Sequence, residues 1–124
     1  MKSKLDTTTP LKLNPEVKTE WLNALRSGEY EQGTGLLSKD GKFCCLGVLC
    51  DIASKKGVCK KIEYNHAHYD GNDLHLPSSV KEWCGFGSNP QGCNAYVNGK
   101  YLTTMNDIEK KSFTEIADFI EENL

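Results

Sequence analysis

The sequence predicts a single α+β domain, with three to four helices packed on a small antiparallel sheet built from two hairpins. Three observations predict it. Apolar residues recur at helical spacing in several separate segments. Asp40-Gly41 and Asn98-Gly99 each sit between short extended runs, where both turn positions favour left-handed backbone. No strand–helix–strand repeat links these segments, so a parallel sheet is not expected. The length of 124 residues and 38% hydrophobic content suit one core of ordinary size. Residues 1–12 are polar and threonine-rich and are expected to form a flexible arm ahead of a domain over 13–124.

The elements follow in order. Asn14-Pro15-Glu16 predicts a helix start, with Asn as N-cap and Pro at the first helical position, and Gly28 a stop. Between them Val17, Trp21, Leu22 and Leu25 make one apolar face. Tyr30 to Leu37 is compatible with extended chain, and Lys42-Phe43-Cys44-Cys45 with a returning strand across Asp40-Gly41. Leu46, Leu49, Cys50 and Ala53, widened by Val48 and Ile52, then predict a helix apolar enough for the centre of the core. Val58 to Tyr64 suggests a strand and residues 65–73 a surface loop. Leu76 to Gly85 predicts a short helix, and residues 85–92 a turn-rich connection. The second hairpin sets Tyr96 opposite Tyr101. Ser112-Phe113-Thr114-Glu115 is a capping box opening a last helix whose face is Phe113, Ile116, Ala117, Ile120 and Leu124.

Charge narrows the function. Fifteen Lys+Arg stand against 17 Asp+Glu, a net charge of −2, with no block of one sign. Duplex nucleic acid and anionic membrane are therefore not expected partners. No apolar run is long enough to span a membrane, and the first residues do not resemble a secretory signal, so a cytoplasmic location is expected. In that setting the six cysteines are expected to be free thiols, mostly small buried apolar side chains. Cys44 and Cys45, adjacent on a strand, would face opposite sides, giving one core thiol and one facing a ligand.

No catalytic constellation or metal set is assigned. The cysteine spacing lacks the two paired motifs of structural zinc. His66-Ala67-His68-Tyr69-Asp70 resembles the His-x-His-x-Asp stretch of metallo-β-lactamase-type hydrolases, but Gly71 replaces the next His, and the histidines are taken as incidental to a solvated loop. Ser112 to Ile120 looks like the first helix of a helix-turn-helix unit, yet only the acidic Glu121-Glu122-Asn123-Leu124 follows. Gly33-Thr34-Gly35 and Gly85-Phe86-Gly87 lack the continuation of a phosphate loop.

Ligand-binding candidates remain. Arg26, the sole arginine, offers a planar fork suited to phosphate. The segment after it carries Tyr30, Gln32 and Thr34 beside glycines that allow close backbone approach. Trp83, on a short helix, offers a ring face. Asn106, ahead of Ile108, is a helix cap or an amide partner for a base. With Cys44 these form the expected ligand-binding set, with no cofactor.

Taken together, Leu25-Arg26-Ser27-Gly28-x-Tyr30-x-Gln32, Phe43-Cys44-Cys45-Leu46-Gly47-Val48-Leu49-Cys50-Asp51, Leu76-Pro77…Glu82-Trp83, Met105-Asn106-Asp107 and Ser112-Phe113-x-Glu115-Ile116-Ala117-Asp118 resemble a widespread family of small phage and prophage proteins. The resemblance covers roughly residues 15–124. It implies counter-defence: a non-enzymatic, sponge-like protein that sequesters a small nucleotide immune signal, a cyclic oligonucleotide or an ADP-ribose derivative, in the host cytoplasm. A homo-oligomer is compatible with that role. The alternative is an inhibitor that binds a host defence nuclease or complex through the acidic last helix and the 65–73 segment, and a small hydrolase comes third.

Overall fold

The computed structural model describes residues 11–89 and 92–124. Its order is α1 (Pro15–Ser27), β1 (Glu31–Gln32), β2 (Ser38–Lys39), β3 (Lys42–Phe43), α2 (Cys45–Lys55), β4 (Lys61–Tyr64), β5 (His66–Tyr69), α3 (Ser78–Cys84), β6 (Tyr96–Val97), β7 (Lys100–Tyr101), α4 (Leu102–Asp107) and α5 (Phe113–Asn123). The fold is α+β, as the sequence predicts. Residues 1–10 of the expected arm, and Pro90 and Gln91 of the turn-rich connection, lie outside the described residues. Leu11 and Leu13 are buried in the core, so the packed chain begins ahead of α1.

The helix nearest the centre of the core is α2. Every residue from Cys45 to Ala53 is buried, and all of them except Asp51 are apolar or glycine, as suits a helix surrounded by other elements. Against it pack α1, through Trp21, and the short helices α3 and α4. The Trp21 indole N–H donates to the Cys45 carbonyl at 3.0 Å, which fixes the angle at which α1 meets the start of α2. The helix α5 lies along α1 and buries the predicted face of Phe113, Ile116, Ala117 and Ile120. Its capping box is formed, Ser112 Oγ accepting from Glu115 N–H at 3.1 Å and Glu115 accepting from Ser112 N–H at 2.9 Å. At α1, Pro15 and the left-handed Gly28 bound the helix as predicted, but the Asn14 side chain makes no capping bond.

Among the described residues the strands form three separate small sheets rather than one. Both predicted turns are present: Asp40 and Gly41 have φ of 55° and 80°, and Asn98 and Gly99 have φ of 48° and 85°. Tyr96 pairs with Tyr101, their ring centroids 4.7 Å apart. Two features depart from expectation. β1 pairs in parallel with β3, because the chain after Gly28 crosses beside the first hairpin instead of leading straight into it. The return strand of the second hairpin stops after two residues and turns into α4, which buries Leu102, Met105 and Asn106 at helical spacing. The expected surface loop at 65–73 is likewise a hairpin, β4 pairing with β5 and burying Ala67 and Tyr69 on its inner face.

The phenol of Tyr30 and the carboxylate of Asp51, on α2, show how the helices and strands are tied by charge. Tyr30 O–H donates to Asp51 Oδ2 at 2.7 Å, while the Lys55 and Lys61 ammoniums approach that carboxylate at 3.3 and 3.1 Å. Burial disfavours the Asp51 charge, but the bonds from Tyr30 and Lys61 outweigh it and hold the carboxyl below its ordinary range. A depressed folded-state value means the contribution is full above the unfolded carboxylate value, about 3.9, and is lost as pH falls through the lower folded value. The expected result is a melting temperature that falls below about pH 4, less steeply in Asp51→Asn than in the parent chain. Parallel acid limbs in the two proteins would refute this.

Candidate functional site

Among the residues singled out from the sequence, the structure brings Gln32, Thr34 and Asn106 into one region. The Gly33-Thr34 segment leaves β1 and lies beside β3 of the first hairpin. Gly33 N–H donates to the Phe43 carbonyl at 2.8 Å, and a Cβ on Gly33 would stand 2.8 Å from Lys42 Cβ, so a side chain there would push this segment off β3. Between segment and hairpin lies an open groove of about 410 Å³, lined by Gln32, Gly33, Thr34, Leu36, Lys39, Asp40 and Lys42. Thr34, Lys39 and Lys42 are exposed. The lining offers two ammoniums, a hydroxyl and an amide against one carboxylate, with Glu31 3.8 Å from Lys42.

Beneath the groove Asn106 acts as a strut. It is 1% exposed, and each end of its amide is used. Its Oδ1 accepts from Gln32 Nε2 at 2.9 Å and from Cys45 N–H at 3.2 Å; its Nδ2 donates to the Gly33 carbonyl at 2.9 Å and to Asp107 at 2.8 Å. Gln32 Nε2 also donates to the Lys111 carbonyl at 2.8 Å. Asn106 is therefore neither a cap nor a free partner for a base: it holds the groove's floor to α2 and α4. Gln32 contributes to the lining, but its amide nitrogen is already bonded on two sides.

The other candidates lie elsewhere. Arg26 Nη2 is 2.7 Å from both Asp118 and Glu121 on α5, and this double pairing raises its already high pKa. The expected phosphate fork is a clamp between the two terminal helices. The same pairing offsets part of the negative charge of Asp118 and Glu121, which stay exposed on the acidic last helix. Tyr30 lines a different hollow, of about 400 Å³, with Glu20, Ala24, Glu29, Ile52, Lys55 and Lys56. Trp83 packs half-buried against the core, outside the groove.

Cys44 corrects the strand reading. The strand ends at Phe43, so Cys44 is the N-cap of α2 and Cys45 its first residue, and both thiols are buried instead of facing opposite ways. Cys44 Sγ accepts from Gly47 N–H at 3.4 Å. Burial pushes Cys44, Cys59 and Cys84 up to about 11, and Cys45 and Cys50 well above the ordinary thiol value, so these five stay protonated at neutral pH. All six cysteines are free.

Sequence reasoning missed Lys39 and Lys42, whose only local signal is that they flank the Asp40-Gly41 turn. It also missed Asp73, which the turn after β5 carries back beside His66 and His68. No described helix is long and apolar enough to cross a membrane. No curated protein and no solved structure shows significant similarity to the chain. Residues 13–124 match the model of the family described as "Domain of unknown function (DUF8296)", and the chain belongs to that family.

Proposed function

We propose that the chain is a non-catalytic binder of a small phosphorylated nucleotide, held in the groove between the Gly33-Thr34 segment and the first hairpin. The observation that carries this reading is that Lys39, Lys42 and Thr34 line one cavity of about 410 Å³. That volume lies within the range typical of small-molecule sites. Ammonium groups supply charge-assisted bonds to phosphate, a hydroxyl supports an oxyanion or ribose, and Leu36 gives an apolar wall. The exposed lysines carry the role expected of Arg26. Burial keeps five of the thiols protonated, so none of those five serves as a nucleophile at neutral pH. In biological terms the proposal is a phage-type counter-defence protein, acting in the host cytoplasm as a sponge for a cyclic oligonucleotide or ADP-ribose derivative; this part rests on the motif resemblance.

The test is calorimetric titration against a panel of cyclic dinucleotides and ADP-ribose isomers, followed by chromatography of the nucleotide. Saturable binding is expected, with the nucleotide recovered intact. Lys39→Ala/Lys42→Ala should weaken it about a hundredfold or more, since each of the two lost bonds to a charged group is worth about 1.5–3 kcal/mol, while Arg26→Ala leaves it unchanged. Binding abolished by Arg26→Ala but indifferent to both lysines would refute the groove. Silence across the panel would favour the inhibitor of a host defence protein, and loss of intact nucleotide a hydrolase.

A further inference from the structure

We propose that His66, His68 and Asp73 form a binding site for a divalent transition-metal ion of the zinc type, with one coordination position open to solvent. The proposal is independent of the groove. Residues two apart on a strand share a face, so His66 and His68 project from the same side of β5, while Ala67 and Tyr69, both fully buried, anchor the other side in the core. After Tyr69 the chain reverses through Asp70 and Gly71, with φ of 48° and 84°, and Tyr69 pairs with Asn72 in both directions at 2.8 and 2.9 Å. Extending that register by one residue sets Asp73 opposite His68, on the histidines' face. The Asp73 carbonyl accepts from Leu37 N–H at 2.7 Å, which ties the returning chain to the residue before β2. Three side chains are thus delivered to one place by a hairpin, a tight turn and a cross-link to the first sheet.

The donor atoms converge. Asp73 Oδ2 lies 2.8 Å from His66 Nε2 and 3.8 Å from His68 Nε2, and the three donor atoms lie within 4.8 Å of one another. The imidazoles stack with centroids 4.6 Å apart and planes 27° apart, so both rings present Nε2 to the same carboxylate oxygen. Only His66 is within hydrogen-bond range of that oxygen; the His68 nitrogen is too distant to share it. A cation between the three would satisfy all of them. Zinc bonds of about 2.0–2.1 Å in tetrahedral array put donors about 3.3–3.4 Å apart, between the two separations from Asp73, while the two imidazole nitrogens lie within 4.8 Å of each other, so coordination draws the rings slightly together.

Two imidazoles and one carboxylate are borderline donors, suited to zinc and its neighbours, whereas calcium and magnesium need more oxygen ligands than this site holds. The side chains are 21%, 26% and 34% exposed, which leaves the fourth position to water or an anionic ligand. Asp73 takes the place that sequence spacing would have given Asp70. The Asp70 carboxylate is instead bonded to Lys60 N–H and the Ser79 hydroxyl, so it is not part of the cluster.

The test uses the whole chain after chelator treatment, titrated with ZnCl₂ by calorimetry and with CoCl₂ by visible absorption. One ion per chain is expected, with the d–d spectrum of low-coordinate nitrogen–oxygen ligation and a rise in melting temperature with zinc. His68→Ala should abolish stoichiometric uptake, and Asp73→Asn should weaken it about tenfold or more. His75→Ala, which alters a histidine paired with Asn94 outside the cluster, should bind as the parent does. Near-ultraviolet circular dichroism establishes that each variant is folded. Absence of one-to-one uptake by the parent chain would overturn the proposal. So would uptake unchanged in folded His68→Ala, or a thiolate-to-cobalt charge-transfer band, which would place the ion on cysteines.

Discussion

Replacing Gly47 with alanine is expected to cost about 4 kcal/mol or more, read as the shift in urea midpoint at constant slope. Helix propensity alone argues the opposite, since alanine is favoured over glycine within a helix by about 1 kcal/mol. Packing decides. A Cβ at Gly47 would stand 1.7 Å from the Leu37 carbonyl oxygen, 2.6 Å from its carbon and 3.2 Å from its Cα. All three are backbone atoms, so no rotamer change relieves the contact. Either α2 withdraws from the Leu37 segment or that segment lifts away. Both moves strain the bond by which Cys44 N–H donates to the same Leu37 oxygen at 3.1 Å, at the start of α2. Gly57→Ala is the comparison: nothing lies within 4 Å of a Cβ there, but φ is +79°, so only the left-handed penalty of about 1–2 kcal/mol applies. Equal losses at the two positions would show that backbone conformation, not close approach, sets the need for glycine at 47.

The second large effect is at Asn106. Asn106→Leu keeps approximate volume but removes a buried amide, leaving Cys45 N–H and the Gly33 carbonyl without that partner and Gln32 with one of its two bonds. Each buried polar group left unpaired costs about 1–3 kcal/mol, so a total of about 3–5 kcal/mol is expected. Asn106→Asp retains both accepted bonds but loses donation to Gly33 and places a second carboxylate against Asp107, and it should also destabilise. Gln32→Ala should cost less. The double variant Gln32→Ala/Asn106→Leu should fall short of the sum, because the two amides share a bond. Full additivity in urea denaturation would mean that they do not act as a unit.

What the sequence disclosed follows from range. The faces of α1, α2 and α5 and the turns at Asp40-Gly41 and Asn98-Gly99 are local patterns, decided within a few residues by apolar spacing and left-handed tolerance. The parallel pairing of β1 with β3 leaves no such trace, because each strand has only two residues. Arg26 sits where a cation at a helix end belongs, so its position gave no warning of carboxylates 92 and 95 residues away. Met105-Asn106-Asp107 was visible as a motif, but only the folded chain shows Asn106 buried between Gln32, Gly33 and Cys45. In the same way His66 and His68 were visible as a pair, while Asp73 joins them only through the reversal at Asp70-Gly71. Gly47 was hidden most completely: among apolar neighbours in a helix, nothing marks it as the point where a backbone carbonyl approaches.

The central functional claim is that the groove holds one intact phosphorylated nucleotide without altering it. Native mass spectrometry of the full chain, purified from cells supplied with the nucleotide panel, tests it most directly because it weighs protein and ligand together. A folded species heavier than the bare protein by the mass of one unaltered nucleotide for each groove occupied is expected, and that species should be lost in Lys39→Ala/Lys42→Ala. A spectrum of bare protein alone across the panel, or retained nucleotide undiminished in the double variant, would contradict it.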